Sequence, residues 1–378
     1  MDNRIRGFDG LRAIAVLMVF LQHRLLASSD ETGHLGVWIF FALSGFLITG
    51  ILTAQRRTIE TGVSDFFAEL KRFLLRRTLR IFPVYYLLLS VLAVLMLLGY
   101  VSPQLKGGLP FHFAYLSNIW IGEVLRYWPG PYSHLWSLSI EEQFYLFFAP
   151  LLLIAPLRWH LPICYAVFVA GVASMWGMRV TGTPEIVIYT NPLTNFWLLA
   201  LGGIGGAWLR AQGSLLRAWL ARPSSFAALL VGVSLLCATE PHWTTAAGPA
   251  VYTLLCTFYG ICIAALVCSI ACSHSTTLVG LLETPWLASL GRISYGFYLY
   301  HNFVPNPARL HRVQALFHGA SEPFWVRLGG IVISFLIALL LAKLSWRFIE
   351  APILRRKAQW TLRVANPAAA RGAGLSKG

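Results

Sequence analysis

The sequence predicts an all-α fold: a polytopic transmembrane bundle of about ten spanning helices, N-in and C-in. Three observations carry this. Of 378 residues, 57% are hydrophobic and only 12% charged, with a mean hydropathy of +0.64, whereas soluble domains carry about 25% charged residues. Apolar segments of spanning length recur along the chain, and no polar stretch is long enough for a separate folded domain. The basic residues are shared roughly three to one between the two sides of the bundle, with the excess on the side of the N-terminus. A net charge of +15 would suggest nucleic acid in a soluble protein. Here it sits in short loops and sets orientation in the lipid bilayer, so no nucleic-acid partner is expected. Binding of an anionic cofactor from the basic side stays open.

The apolar segments lie near 11–27, 35–54, 80–99, 142–157, 161–178, 193–209, 225–239, 250–272, 286–304 and 328–349. Residues 1–355 are therefore read as one membrane domain. Residues 356–378, basic and Ala/Gly-rich, are read as a disordered cytoplasmic tail. Arg4, Arg6 and the following apolar run resemble a signal peptide ending near Ala27-Ser28-Ser29. The arginine and histidine along the run, and the second apolar segment close behind it, favour a retained first helix.

In the first segment, ten residues separate Arg12 from His23. Eleven helical steps bring the second side chain within roughly 20° of the first, about 16 Å further along. The two line one face at two depths, and ionisable groups on a spanning helix mark a candidate functional site. In the second segment, Ser44 and Gly45 are small enough for close helix approach, as are Gly202 to Gly206 in the sixth.

The main cytoplasmic loop, 55–80, carries Arg77 and Arg80 three residues apart on one face. Phe66, Leu70, Phe73 and Leu74 recur at helical spacing, which predicts an interfacial amphipathic helix there. Lipid-headgroup binding is the alternative role for the cluster, and Pro83 suits a helix start or kink. The outer segment, 100–141, holds Trp120, Tyr127, Trp128, Tyr132 and Trp136, a set typical of a membrane interface and also able to stack on sugar rings. It ends with His134, Ser137, Glu141 and Glu142. One acid would cap the fourth helix; two acids and a histidine are more than a cap needs.

Near the C-terminus, Ser294, Tyr298 and His301 share a helix face, and structural support is the preferred role for His301. The six cysteines lie inside apolar segments without CxxC or His/Cys spacing, so no metal is expected.

Several separated motifs together resemble the acyltransferase 3 family of integral membrane acyltransferases, over roughly residues 5–355. Gly10-Leu-Arg12 with His23 is similar to the family's R/K-x10-H signature, and Phe40-Phe-Ala-Leu-Ser-Gly45 to its FFxxSG motif. Arg77-Thr-Leu-Arg80 with Pro83 and Tyr85 resembles the RxxR stretch at the third helix. Trp136-Ser-Leu-Ser-Ile-Glu-Glu-Gln-Phe-Tyr145 resembles WSLSxEExFY. Ile293-Ser-Tyr295 to His301 and Glu350-Ala-Pro352 match the C-terminal signatures. No hydrolase-like extension follows the last helix, which implies a stand-alone version.

The resemblance implies a bacterial inner-membrane enzyme that transfers an acyl group, usually acetyl from acetyl-CoA, to a hydroxyl of a saccharide or lipid-linked glycan. No permanently bound cofactor is expected. On this reading Arg12, Arg77 and Arg80 hold the nucleotide end of the donor, since guanidinium groups bind phosphate bidentately. His23 is the candidate general base, with Glu141, expected at a similar depth near the outer edge, orienting its imidazole or stabilising its charged form. Ser44, His134, Ser137 and His301 support the site or position the acceptor. A covalent acyl-histidine is a variant. A transporter or flippase, or a non-catalytic subunit of a glycan assembly complex, are the competing classes. The motifs fix neither the acceptor nor the oligomeric state.

Overall fold

The computed structural model describes residues 4–25, 34–100, 103–211, 214–239, 248–273, 276–309 and 323–356, and among them there is no strand. The predicted tail from 357 onward and the Ala27-Ser28-Ser29 stretch lie outside the described residues. The helices are α1 (Phe8–Leu25), α2 (His34–Glu60), α3 (Phe66–Leu97), α4 (Pro103–Phe113) and α5 (Ser117–Ile119). They continue with α6 (Leu135–Ile154), α7 (Leu157–Val180), α8 (Glu185–Thr190), α9 (Leu193–Ala211) and α10 (Ser214–Leu220). The C-terminal set is α11 (Pro223–Thr239), α12 (Pro249–Cys272), α13 (Thr276–Leu282), α14 (Pro285–Arg292), α15 (Ser294–Tyr300) and α16 (Phe324–Ser345).

Helices α2, α3, α6, α7, α12 and α16 are each long and apolar enough to cross a membrane. The chain is thus a multi-pass membrane protein. Of the other expected spans, α1 carries Asp9, Arg12 and Arg24 within its 18 residues, and α11 has 17. The segment expected at 286–304 is not one helix. It breaks at Ile293, where φ −96° and ψ 8° separate α14 from α15. The break lets α14 lie on α1, where a Cβ at Gly291 would overlap the backbone carbonyl of Asp9. It also frees α15 to pack against α16.

The interfacial helix expected over 66–74 is instead the first part of α3, one 32-residue helix that runs through Pro83. Asp65 starts it by accepting a 3.0 Å hydrogen bond from the Ala68 amide. This continuity carries Arg77 and Arg80 into the bundle on a rigid rod rather than leaving them in a loop.

Helix α2 is the most enclosed of the long helices, while α7 and α16 are largely exposed on the outside of the bundle. Its partner is α9. A Cβ at Gly45 would overlap the carbonyl of Leu199, and one at Gly202 would overlap the carbonyl of Ala42. The two backbones therefore touch at positions occupied by small residues, as membrane packing favours. This contact fixes the neighbouring Ser44. All six cysteines are free thiols.

Candidate active site

His23 sits in the last turn of α1. Its Nδ1 lies 2.9 Å from Nε2 of His301, with the rings stacked at 5.1 Å and 18°. The tautomers follow from the next bond. His301 Nδ1 is 2.6 Å from the carbonyl oxygen of Tyr298, which can only accept, so His301 carries its proton on Nδ1. In the neutral ring Nε2 is then the acceptor, and His23 Nδ1 must donate to it. The lone pair of His23 is left on Nε2, which has no partner among the described residues. His23 lines a cavity of about 960 Å³ at this end of the bundle.

Arg24 fixes the pair. It is buried, and its Nη2 donates to the carbonyl oxygens of His301 and of Val304, the latter at 2.6 Å. The turn after α15 is thereby tied to α1. His134 packs its ring 5.2 Å from that of His301 and donates from Nε2 to the Leu299 carbonyl at 3.1 Å. With those nitrogens committed to carbonyls, the three histidines do not converge on a common point. Among the described residues no group of His, Cys, Asp or Glu side chains is placed to hold a metal.

Two sequence expectations change here. Glu141 was expected to orient His23, but the ring nitrogen that needs such a partner is bonded to His301. Glu141 lies seven residues beyond His134, almost two turns or about 10 Å down α6. There its carboxyl lies beside Ser44 and Tyr145 and in the field of Arg77 and Arg80. Ser137 was expected to support the site or to position the acceptor, and only the second role changes. Its hydroxyl is instead 2.5 Å from the Tyr298 hydroxyl and 3.1 Å from the His134 carbonyl, in the contact between α6 and α15.

The three arginines do converge. Arg80 lies within electrostatic range of Arg12, Arg77 and Glu350. Arg12 is held by Asp9 at 3.0 Å, and Asp9 is also bound by Arg4 at 2.9 Å. The Arg77 guanidinium stands 5.0 Å over the Tyr145 ring, a cation–π contact. Tyr145 in turn shares a 2.6 Å hydrogen bond with Ser44. Such a set of guanidiniums, only partly matched by carboxylates, suits a polyanionic ligand.

Sequence reading passed over four members of this site. Asp9 was detectable, lying three residues before Arg12 on the same face. Arg24 looked like an ordinary outer charge. Tyr145 and Glu350 were visible only as motif letters. A single turn of π-helix, Trp346–Glu350, sets Glu350 in its buried place, bonded at 3.1 Å by Ser345; such turns are common at functional sites.

Comparison with known proteins adds to this geometry. The model of the acyltransferase domain family matches residues 5–343. The chain is similar to the peptidoglycan O-acetyltransferase of Listeria monocytogenes, 29% identical over 369 residues that cover 92% of this chain and 56% of that protein. A Bacillus subtilis protein named as a presumptive peptidoglycan O-acetyltransferase is 31% identical over 371 residues, 92% of this chain and 55% of its own. A presumptive O-acetyltransferase of Staphylococcus aureus (strain COL) is 30% identical, with 92% and 57% covered. The chain thus spans a little over half the length of these relatives. No solved structure matches it.

Proposed function

This chain belongs to the acyltransferase 3 family, and on that premise we propose that it is an O-acyltransferase of the bacterial inner membrane. The acyl group is acetyl, drawn from cytoplasmic acetyl-CoA, which is consumed as a substrate and not held as a cofactor. The acceptor is a hydroxyl of a saccharide, in a cell-surface or exported polysaccharide or its lipid-linked precursor.

The observation that carries this reading is the Nε2 of His23, unpartnered among the described residues and fixed as a base by the chain Tyr298 carbonyl–His301–His23. An imidazole held in one tautomer, with its lone pair left for an outside partner and a cavity beside it, is equipped to take a proton from a hydroxyl. The alkoxide oxygen then attacks the thioester carbonyl. The tetrahedral intermediate collapses with cleavage of the C–S bond, and the imidazolium returns its proton to the CoA thiolate. A general base of this kind contributes about 10²–10⁴-fold.

The donor would enter from the opposite end. Arg12, Arg77 and Arg80 bind its phosphates, and the arm runs along α1 over a rise of about 16 Å to His23. Glu141, with Ser44 and Tyr145, holds Arg77 and Arg80 on that path. It acts on the donor site, with His301 and Arg24 as the positioning residues of the base.

The test is acetyl transfer by the full chain in proteoliposomes, supplied with acetyl-CoA on the cytoplasmic face and a saccharide on the other. Release of free CoA with ester formation is expected, and its loss in His23→Ala at normal expression and insertion. A His23→Ala protein that still transfers acetyl groups would overturn the assignment. Mass spectrometry of surface glycans from cells with and without the gene identifies the lost ester.

A further inference from the structure

The 960 Å³ cavity at His23 has a rim that the transfer chemistry does not use. One turn of π-helix, Trp120–Leu125, ends at Arg126, whose φ of 57° is left-handed. Among the described residues Tyr115 alone shares that conformation outside glycine. Non-glycine residues rarely adopt it, and an observed outlier of this kind clusters at ligand sites. The bend projects Arg126, Tyr127 and Trp128 over the cavity. Trp128 is 45% exposed and braced edge-on by Tyr189 at 5.5 Å, which leaves a flat surface for a ring to stack on.

Among the described residues the cavity lining carries more cations than anions. Apart from Arg24, which is engaged elsewhere, the described lining holds Arg126 and Arg179 against one carboxylate, Glu185. That carboxylate is consumed by Arg179, which grips it with Nε and Nη2 at 3.1 and 3.0 Å and lays its guanidinium 4.1 Å over the Tyr252 ring. Arg126 has no such counter-ion among the described residues. The backbone adds to the imbalance. Helices α2, α6, α9 and α12 point their N-termini at the cavity, through Val37, Trp136, Asn195 and Tyr252, while α1, α7 and α15 end there, through His23, Arg179 and Tyr298. Helix N-termini carry partial positive charge and favour anions.

Resting on the acyl-transfer reading, we propose that the acceptor bound here is an acidic saccharide. Arg126 recognises its carboxylate or phosphate, and Trp128 stacks on a sugar ring. The base His23 meets the hydroxyl deeper in the same cavity. A neutral sugar would leave Arg126 without a counter-ion among the described residues.

The test is binding to the full chain in nanodiscs, read by intrinsic fluorescence and by calorimetry. The probes are a galacturonic acid trisaccharide, its methyl ester, and galactose 1-phosphate. The free acid should bind at least about tenfold more tightly than the ester. Arg126→Gln should abolish that preference, and Arg126→Lys should keep most of it, which separates lost charge from lost folding. Trp128→Ala should weaken acid and ester alike. A preference for the acid trisaccharide identifies a carboxylate as the group bound, and one for the sugar phosphate identifies a phosphate; both must vanish in Arg126→Gln. Equal binding of acid and ester with no tighter binding of the sugar phosphate, binding of no probe, or a preference that survives Arg126→Gln would overturn the acidic-acceptor assignment. His23-dependent turnover of acetyl-CoA, measured on the same nanodiscs, tells the two failures apart. If it persists, only the acceptor class is wrong; if turnover does not depend on His23, the reading beneath it falls.

Discussion

His23 and His301 are 278 residues apart in sequence and share a 2.9 Å hydrogen bond between Nδ1 of the first and Nε2 of the second. Because His301 gives its only proton to the Tyr298 carbonyl, the bond has one direction. His23 donates from Nδ1 and keeps its lone pair on Nε2. A backbone carbonyl, through one intervening imidazole, thereby decides which nitrogen of the base faces the cavity.

His301→Ala should lower kcat by about 10²-fold, since the base loses its fixed tautomer and orientation, while the KM for acetyl-CoA changes little. His301→Gln supplies an amide oxygen that can accept from His23 Nδ1, and should recover part of the loss. Steady-state kinetics of the three proteins check this; equal loss in both variants would mean that His301 matters only as packing.

Arg77→Ala should raise the KM for acetyl-CoA by about 10–100-fold, the size of a lost charge-assisted hydrogen bond. Arg77→Lys keeps the charge but loses the planar fork and its stacking on Tyr145, 5.0 Å away, so it should fall between. Donor titrations at saturating acceptor measure both. An unchanged KM in both variants would leave the cluster as an orientation signal.

Glu141→Gln separates two roles for one carboxylate. A carboxylate paired with His23 would favour its charged form, so removing the charge would move the pH midpoint of kcat downward by about one unit or more. Placed beside Ser44, Tyr145 and Arg77, Glu141 should leave that midpoint where it is and alter donor affinity. A pH–rate profile of the variant decides.

The parts of the site readable in the sequence are those fixed within one helix. Arg12 and His23 share a face of α1 because helical periodicity alone puts them there, and Arg77 with Arg80 follow the same rule on α3. Partners across helices were not readable. His301 reaches His23 only because the ninth apolar segment breaks at Ile293, and nothing local to that apolar run signals the break. What the break serves lies across helices, in the close approach of Gly291 to the backbone of Asp9 on α1. Glu141 was matched to His23 by depth alone, which says nothing of the side of α6 it faces. The length of α3 was misjudged for a related reason. Its first turns are amphipathic and look interfacial, but no residue between Phe66 and Arg80 interrupts the helix. The small residues Gly45 and Gly202 were legible as packing positions, whereas the identity of the partner helix had to come from the structure.

That α2–α9 contact supports the last prediction. Gly45 and Gly202 each face a backbone carbonyl of the other helix, Leu199 and Ala42 respectively, so a side chain at either has no flexible neighbour to displace. Gly45→Val should force the helices apart and destabilise the protein by about 1–3 kcal/mol or more, and the shift should disturb the adjacent Ser44–Tyr145 hydrogen bond. Donor affinity should therefore fall along with thermal stability in detergent. Gly177→Ala on α7 is the matched control: nothing lies within 4 Å of a Cβ there, and the change should stay within about 0.5 kcal/mol of wild type. If Gly45→Val unfolds at the wild-type temperature, α2 and α9 do not meet at these glycines, and the placement of Ser44 and Glu141 that depends on their contact must be redrawn.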